Sequence, residues 1–348
     1  MQFTHLPLRV ALLGSLIVLA SPPARSADED LLAAARKEGE VVWYTSLIVD
    51  QMVRPMEAAF TKKYPGIKFK YERSNTEDII LKVINEAKAN RVQVDVVDGS
   101  NVSTTLVKEG GLVPDWLPEE AKIFPAHLKD PTASHWIATN LYIMEPAYNT
   151  SLVKPGTQPK TTEDLLDPKW AGKMTWSGNV SGASGTGFVG NILASKGETA
   201  GREYLRKLAK QNIVAHNTSS RQVLDQVIAG EFSIIIQAFH HQASISAAKG
   251  APIDWIPMSP ATVNLAIASL VKNSPHPNAG KLLLSYMVSD EGQTLYAKSG
   301  YIPAKPNIPA ADPKLKPEIG GFEALYFNPD EFDNNLPKWY EIFQEIFK

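Results

Sequence analysis

His240 and His241 stand side by side just past an apolar run at 232–238 (FSIIIQA). The run reads as a buried strand, so the pair sits at the carboxyl end where open α/β sheets place their ligands. Two imidazoles there suit a borderline metal such as zinc or nickel, hydrogen bonding to a carboxylate, or simply the close of the strand. A second group lies in 177–187 (SGNVSGASGTG), between a short strand and a helix. Its small residues, among them Ser177, Ser181, Ser184, Gly185 and Thr186, leave backbone N–H groups able to face an anion, helped by the helix dipole. An ordinary flexible turn has the same composition. The stretch also resembles a nucleophile elbow, but Thr186 stands where G-x-S-x-G needs its last glycine, so Ser184 is not read as a nucleophile. His216 and Asn217 precede a helix that begins near Ser219 and Ser220. Arg221 in its first turn opposes the helix dipole, as a residue bound to an acidic ligand would, or one merely solvated. Tyr44, Thr45 and Ser46 end the first strand, and Asp98, Gly99, Ser100 and Asn101 end the third. These polar clusters either line a crevice or serve as turns and caps.

Other chemistry is excluded by what is missing. HExxH, Walker A and G-x-G-x-x-G patterns do not occur. The chain has no cysteine, which removes disulfides, thiolate metal sites, iron–sulfur clusters, cysteine nucleophiles and a lipid-anchored amino terminus. Lys and Arg total 35 against 37 Asp and Glu, a formal charge of −2, without the basic excess of a nucleic-acid binder. With 348 residues, 44% of them hydrophobic, the chain suits two domains of ~150 residues. Nothing in it asks for a cofactor.

Behind the polar clusters, strand and helix signals alternate. Residues 1–26 read as a cleaved export signal: His5 and Arg9, an apolar stretch at 10–20, then Ala24 and Ser26 as small residues before the cut. Strands are expected at 41–46, 67–71 and 94–97, with helices at 28–37, 53–64, 76–89 and 102–108. An extended segment follows at 138–149. Thr161 to Asp164 fits a capping box, 174–177 is a strand, and 188–196, 201–211 and 219–229 are helices. Strands at 232–238, 253–258 and 265–271, a helix at 279–288, a proline-rich tail at 304–335 and a helix at 338–347 complete the chain. Repeated β-α units of this length imply parallel sheets covered on both faces.

The order of these pieces resembles the periplasmic solute-binding proteins of ABC importers, in the group that includes ferric-iron binders. The most specific stretches are 41–46 (VVWYTS), 94–97 (VDVV), 166–173 (LDPKWAGK), Gly230-Glu231, 275–279 (PHPNA), 289–293 (SDEGQ) and 301–303 (YIP). The resemblance implies an α/β, type II periplasmic binding protein fold of two lobes, each a mixed, mainly parallel sheet flanked by helices. The lobes would be 27–140 with 266–303, and 141–265, with the tail 304–348 packed back on them. Strands crossing near 140–147 and 265–271 would form a hinge, and ligand would bind between the lobes as they close.

Departures from the iron-binding pattern follow from the same resemblance. His240 and His241 stand where iron binders carry two tyrosines, and Ala238 where asparagine is frequent. Ser100 occupies the place of an acidic ligand and Tyr142 that of an arginine; Asn217 keeps the expected type. Imidazole is a poor substitute for phenolate toward ferric iron. The expected ligand is therefore a small organic carboxylate or phosphonate-type anion, held by donors from 177–187, Asn217, Ser220, Arg221, His240 and His241. Tyr44 and Tyr142 would supply apolar walls with polar tips. The histidines would strengthen binding at mildly acidic pH as imidazolium. The alternatives are a metal carrier, for ferric iron or for zinc or nickel through the histidine pair, and a secreted hydrolase. The implied partners are a membrane permease and its ATPase, and the implied location is the periplasm.

Overall fold

The computed structural model describes Met1 and residues 27–181 and 183–348. Apart from Met1, the export segment expected at 1–26 lies outside the described residues, as does Gly182. The chain begins with α1 (Ala27–Glu38), β1 (Glu40–Thr45), α2 (Arg54–Lys63), β2 (Lys68–Arg73), α3 (Thr76–Lys88), β3 (Val96–Gly99) and α4 (Val102–Lys108). A long strand, β4 (Ile137–Asn149), leads to β5 (Met174–Ser177), α5 (Gly185–Lys196), α6 (Glu198–Ala209), β6 (Val214–His216), α7 (Ser220–Ala229), β7 (Ile234–Phe239), α8 (His240–Ala248) and β8 (Ile253–Trp255). A second long strand, β9 (Ala261–Leu270), returns to α9 (Pro277–Val288), α10 (Asp290–Lys298) and β10 (Ile302–Pro303). The tail carries α11 (Pro317–Gly320), β11 (Ala324–Tyr326) and α12 (Pro329–Phe347).

β1 pairs in parallel with β2 and β3, and β5 in parallel with β6 and β7. The two halves meet at β4 and β9, which run antiparallel with Leu141 opposite Leu265 and Tyr142 opposite Asn264. The strand order β2-β1-β3-β9-β4-β7-β5-β6 therefore places the crossing strands between two parallel half-sheets. Each half is a lobe with apolar cores on both faces. In the first lobe Trp43, Phe60 and Tyr286 lie on one side, and Val83, Val97 and Leu106 on the other. In the second, Trp176, Leu205 and Phe343 oppose Val223, Val227 and Ile235. Sheets covered on both faces bury nearly every strand residue, and β4 shows this, with all but Tyr142 of its 13 residues buried.

Three expectations about elements change and one holds. The histidines do not end a strand; they open α8, a helix whose sequence HHQASISAA has no apolar stripe to announce it. The strand expected at 253–258 stops at Trp255. Thr161 and Asp164 do exchange the bonds of a capping box, Asp164 N–H donating to Thr161 Oγ1 at 3.2 Å and Thr161 N–H to Asp164 Oδ2 at 3.0 Å. The turn that follows is 3₁₀ and only four residues long. The last helix starts at Pro329, nine residues before the expected 338, and runs through Pro337. A proline inside a helix removes one backbone bond and costs about 3 kcal/mol. Burial of Phe332 before it and of Trp339, Ile342 and Phe343 after it offsets that loss. α12 comes close to α5 because α5 carries glycine at the contact: a Cβ on Gly185 would stand 2.2 Å from the Phe343 ring, and one on Gly190 2.6 Å from Trp339.

Candidate ligand-binding cleft

A cleft of about 630 Å³ opens between the lobes, across the edge of the sheet at the crossing strands. The first lobe contributes Ser46, Ile48, Arg73, Glu77, Ser100, Asn101 and Tyr301, and the crossing strands Tyr142 and Asn264. The second lobe contributes Asn179, Ser181, Ser220, Arg221, Phe239, His241 and Gln242. Phe327, Phe332 and Asp333 close the remaining side from the tail and α12.

The first-lobe wall is fixed from beneath by Asp98. Thr45 Oγ1 donates to Asp98 Oδ2 at 2.8 Å and Ser46 N–H to Asp98 Oδ1 at 3.1 Å, while Leu47 N–H donates to Thr45 Oγ1 at 3.1 Å. These bonds bend the chain after β1 so that Ser46 and Ile48 face the cleft. Asp98 is fully buried, and loss of hydration pushes its carboxyl up to about 7, although the Thr45 and Ser46 bonds pull the other way. Tyr301 Oη accepts from Ile48 N–H at 3.4 Å. Burial also raises the phenols of Tyr142 and Tyr301, which stay protonated.

The second-lobe wall is built on helix starts. Ser219 and Gln222 cap α7 reciprocally, and Ser219, Ser220 and Arg221 face the cleft. Arg221, in a first turn where its charge is unfavourable, is held by Asp225 one turn on and by Ser246, with Nη1 donating to Oγ at 2.9 Å. α8 begins at the cleft with no side chain capping its first turn. Phe239, His241 and Gln242 at this helix start line the cavity, and an uncapped helix start is where many anion sites form. His241, Tyr142, Phe239 and Tyr301 form an aromatic wall with ring centroids 5.4 to 5.9 Å apart.

The sixteen residues singled out from sequence divide evenly. Ser46, Ser100, Asn101, Tyr142, Ser181, Ser220, Arg221 and His241 line the cleft. Tyr44 faces the other side of its strand, donating to Glu86 Oε1 at 2.8 Å with Lys82 Nζ 4.5 Å above its ring. Thr45 lies beneath the floor. Ser177 Oγ donates to the Thr218 carbonyl at 2.5 Å, Ser184 Oγ to that of Ser181 at 2.6 Å and Thr186 Oγ1 to that of Asn179 at 3.1 Å. Those three hydroxyls are engaged by backbone carbonyls, two in their own loop and one in the segment before α7. Ser184 also caps α5, and Gly185 is covered by Phe343. Asn217 is exposed and outside the cleft lining.

The two histidines separate. His240 is stacked on Trp255 at 4.4 Å and 14°, outside the cleft, with neither ring nitrogen hydrogen-bonded among the described residues. Burial lowers His240 to about 3 and His241 to about 4. Both rings are therefore neutral at mildly acidic pH, the reverse of the behaviour expected from residue type. No group of three or more His, Asp or Glu placed to hold a metal occurs among the described residues.

Sequence reasoning missed Arg73, Phe239, Gln242, Tyr301 and Asp333; Asp98 and Asn179 fell within the clusters 98–101 and 177–187 that it had marked. Tyr301 belongs to a stretch already recognised by its resemblance, which was the one available signal. Asp333 lay in a tail that gave none.

Two lobes, a pair of crossing strands and a polar cleft between them define a ligand-binding protein of the periplasmic type. The sequence matches the family described as bacterial extracellular solute-binding protein over residues 56–320, and the chain belongs to it. It is 23% identical over 319 residues to an Fe(3+)-binding periplasmic protein of Serratia marcescens, spanning 89% of this chain and 91% of that one. It is 25% identical over 210 residues to a periplasmic protein of Salmonella typhimurium (strain LT2) provisionally named for 2-aminoethylphosphonate binding, spanning 56% of this chain and 61% of the other. Among solved structures, a periplasmic binding protein of Actinobacillus pleuropneumoniae with exogenous fructose-6-phosphate bound superposes with a TM-score of 0.69. The identity there is 21%, over 88% of this chain and 99% of that one.

Proposed function

We propose that the protein is the periplasmic substrate-binding component of an ABC importer. It captures a small organic carboxylate or phosphonate-type anion in the cleft by closing its lobes, then delivers it to a membrane permease served by an ATPase. The lobes are 27–140 with 266–303, and 141–265, and the tail attaches to both. The observation that carries the ligand class is the convergence of Arg73, Arg221 and the uncapped start of α8 on one cavity. Charge-assisted bonds to such donors hold carboxylates and phosphonates well. The names of relatives point to ferric iron, a phosphonate and a sugar phosphate on this scaffold. Two of those three ligands are anions of the proposed kind. Binding rather than catalysis fits the engagement of Ser184 in helix capping. An export signal at 1–26 and diffusion without a lipid anchor fit a chain lacking cysteine. No helix among the described residues is long and apolar enough to cross a membrane.

A thermal-shift screen over carboxylates, phosphonates, amino acids, polyamines and metal ions tests the reading. A ligand at about 100 times its dissociation constant adds about 2.7 kcal/mol. Stabilisation by metal ions alone would overturn the ligand class. That outcome would favour a second reading, a metal carrier, for which Tyr142, Tyr301 and His241 share one wall of the cleft. The protonated state of both phenols and the withdrawal of His240 oppose it.

A further inference from the structure

α12 is fixed to the second lobe and reaches the first. Trp339, Ile342 and Phe343 are buried in the second lobe's core. Two ion pairs add to this anchorage, Arg202 Nη1 to Glu345 Oε2 at 3.0 Å and Lys338 Nζ to Glu198 Oε2 at 2.9 Å. The opening turns of the same helix meet α4 of the first lobe. Lys108 Nζ lies 2.7 Å from Asp330 Oδ1, and Asp333, half-buried in the cleft wall, accepts a hydrogen bond from the Asn101 side chain. Glu77, which also lines the cleft, adds a like charge near Asp333. These links are independent of the crossing strands, so any movement of the first lobe away from the second must break them.

We propose that α12 is an interlobe clasp, in which Asp330 and Asp333 are positioning residues that hold the first lobe against the second and release it when the cleft opens. The inference rests on the reading of ligand capture by lobe closure. The ion pair is half exposed, at 51% and 43% of its side-chain surfaces, which makes it weak enough to break repeatedly. Asn101 and Asp333 both belong to the cleft lining, so a ligand reaching them touches the clasp itself. Asp330 and Asp333 lie beyond residues 56–320, the stretch matched by the family, while Asn101 and Lys108 lie within it.

The test needs no ligand. The chain has no cysteine, so spin labels on Leu81→Cys in the first lobe and Leu152→Cys in the second, both exposed, report one interlobe distance by pulsed electron resonance. Asp330→Ala and Asp333→Ala are each expected to raise the ratio of long to short distances about two- to five-fold, with the melting temperature unchanged. The exchanged pair Lys108→Asp with Asp330→Lys is expected to restore the original distribution. Distributions that superimpose on that of the unsubstituted protein overturn the proposal. So does an exchanged pair as open as Asp330→Ala, or an opening accompanied by a lower melting temperature, which would signal loss of the helix. A labelled pair that responds to no compound in the thermal-shift screen would count against ligand capture, and the ligand-free comparison would still stand.

Discussion

Asp98 is a buried carboxyl with no ion-pair partner among the described residues, and its pH response follows from that placement. The folded protein holds it at about 7 where the ordinary value is 3.8. A gap of about three pH units is worth ~4 kcal/mol. Because the folded value lies above the unfolded one, its contribution is fully present below pH 4. It is lost as pH rises toward 7, over the range in which the unfolded chain ionises and the folded one does not. Between pH 5 and pH 8 the loss comes to ~2.5 kcal/mol. Asp98→Asn keeps the size and can still accept from Ser46 N–H, but it does not titrate. Urea unfolding of both proteins at the two pH values isolates the residue, since every other titrating group is common to them. The expected result is that the substituted protein gains ~2.5 kcal/mol on the parent in going from pH 5 to pH 8. Parallel pH profiles would refute the reasoning: the Thr45 and Ser46 hydrogen bonds, not burial, would then govern the carboxyl.

The neutral state of His241 predicts that His241→Gln leaves the shape of the affinity–pH profile, measured by calorimetry between about pH 5.5 and 8, as it is in the parent. A parent that tightens below pH 6.5 where His241→Gln does not would show an imidazolium the buried site does not permit. Arg221→Ala should weaken binding about ten- to hundred-fold, as loss of a hydrogen bond to a charged group does. Lys207→Ala, on α6 where Lys207 pairs with Glu203 of the same helix, should leave it unchanged in the same titration. Gly185→Ala forces a Cβ against Phe343, and overpacking of this kind costs about 1–3 kcal/mol; a melting temperature equal to the parent's would mean that α12 is not pressed on α5 as described.

The sequence was legible where a pattern is repeated and opaque where one residue must choose a side. Alternating strand and helix signals placed most elements of both lobes, and the stretch 138–149 marked β4 to within one residue. β1 is covered on both faces, so alternation could not say whether Tyr44 or its neighbours point to the cleft. The hydrogen bond to Glu86 and the pinning by Asp98 decide it. Adjacent residues on a helix diverge by about 100°, which is why His241 reaches the cavity while its neighbour stacks on Trp255. Hydroxyls at 177–186 advertise donors in any sequence, yet folding turns three of them onto nearby carbonyls. Asp333 was hidden because Pro337 argues against a helix, and only burial on both sides of the proline overrules it.

The tail also bears on the order in which the chain can become a protein. Leu315 and Phe322 belong to the core of the first lobe, and Phe327, Phe332, Trp339, Ile342 and Phe343 to that of the second. The ribosome delivers these side chains well after the strands they cover, so neither core can be filled until residues 315–343 have emerged. Up to that moment the nascent chain keeps apolar surface uncovered and remains a substrate for chaperones. It also means that a frameshift or nonsense codon shortly before Phe332 would deprive the second lobe of Phe332, Trp339 and Phe343, which complete its core.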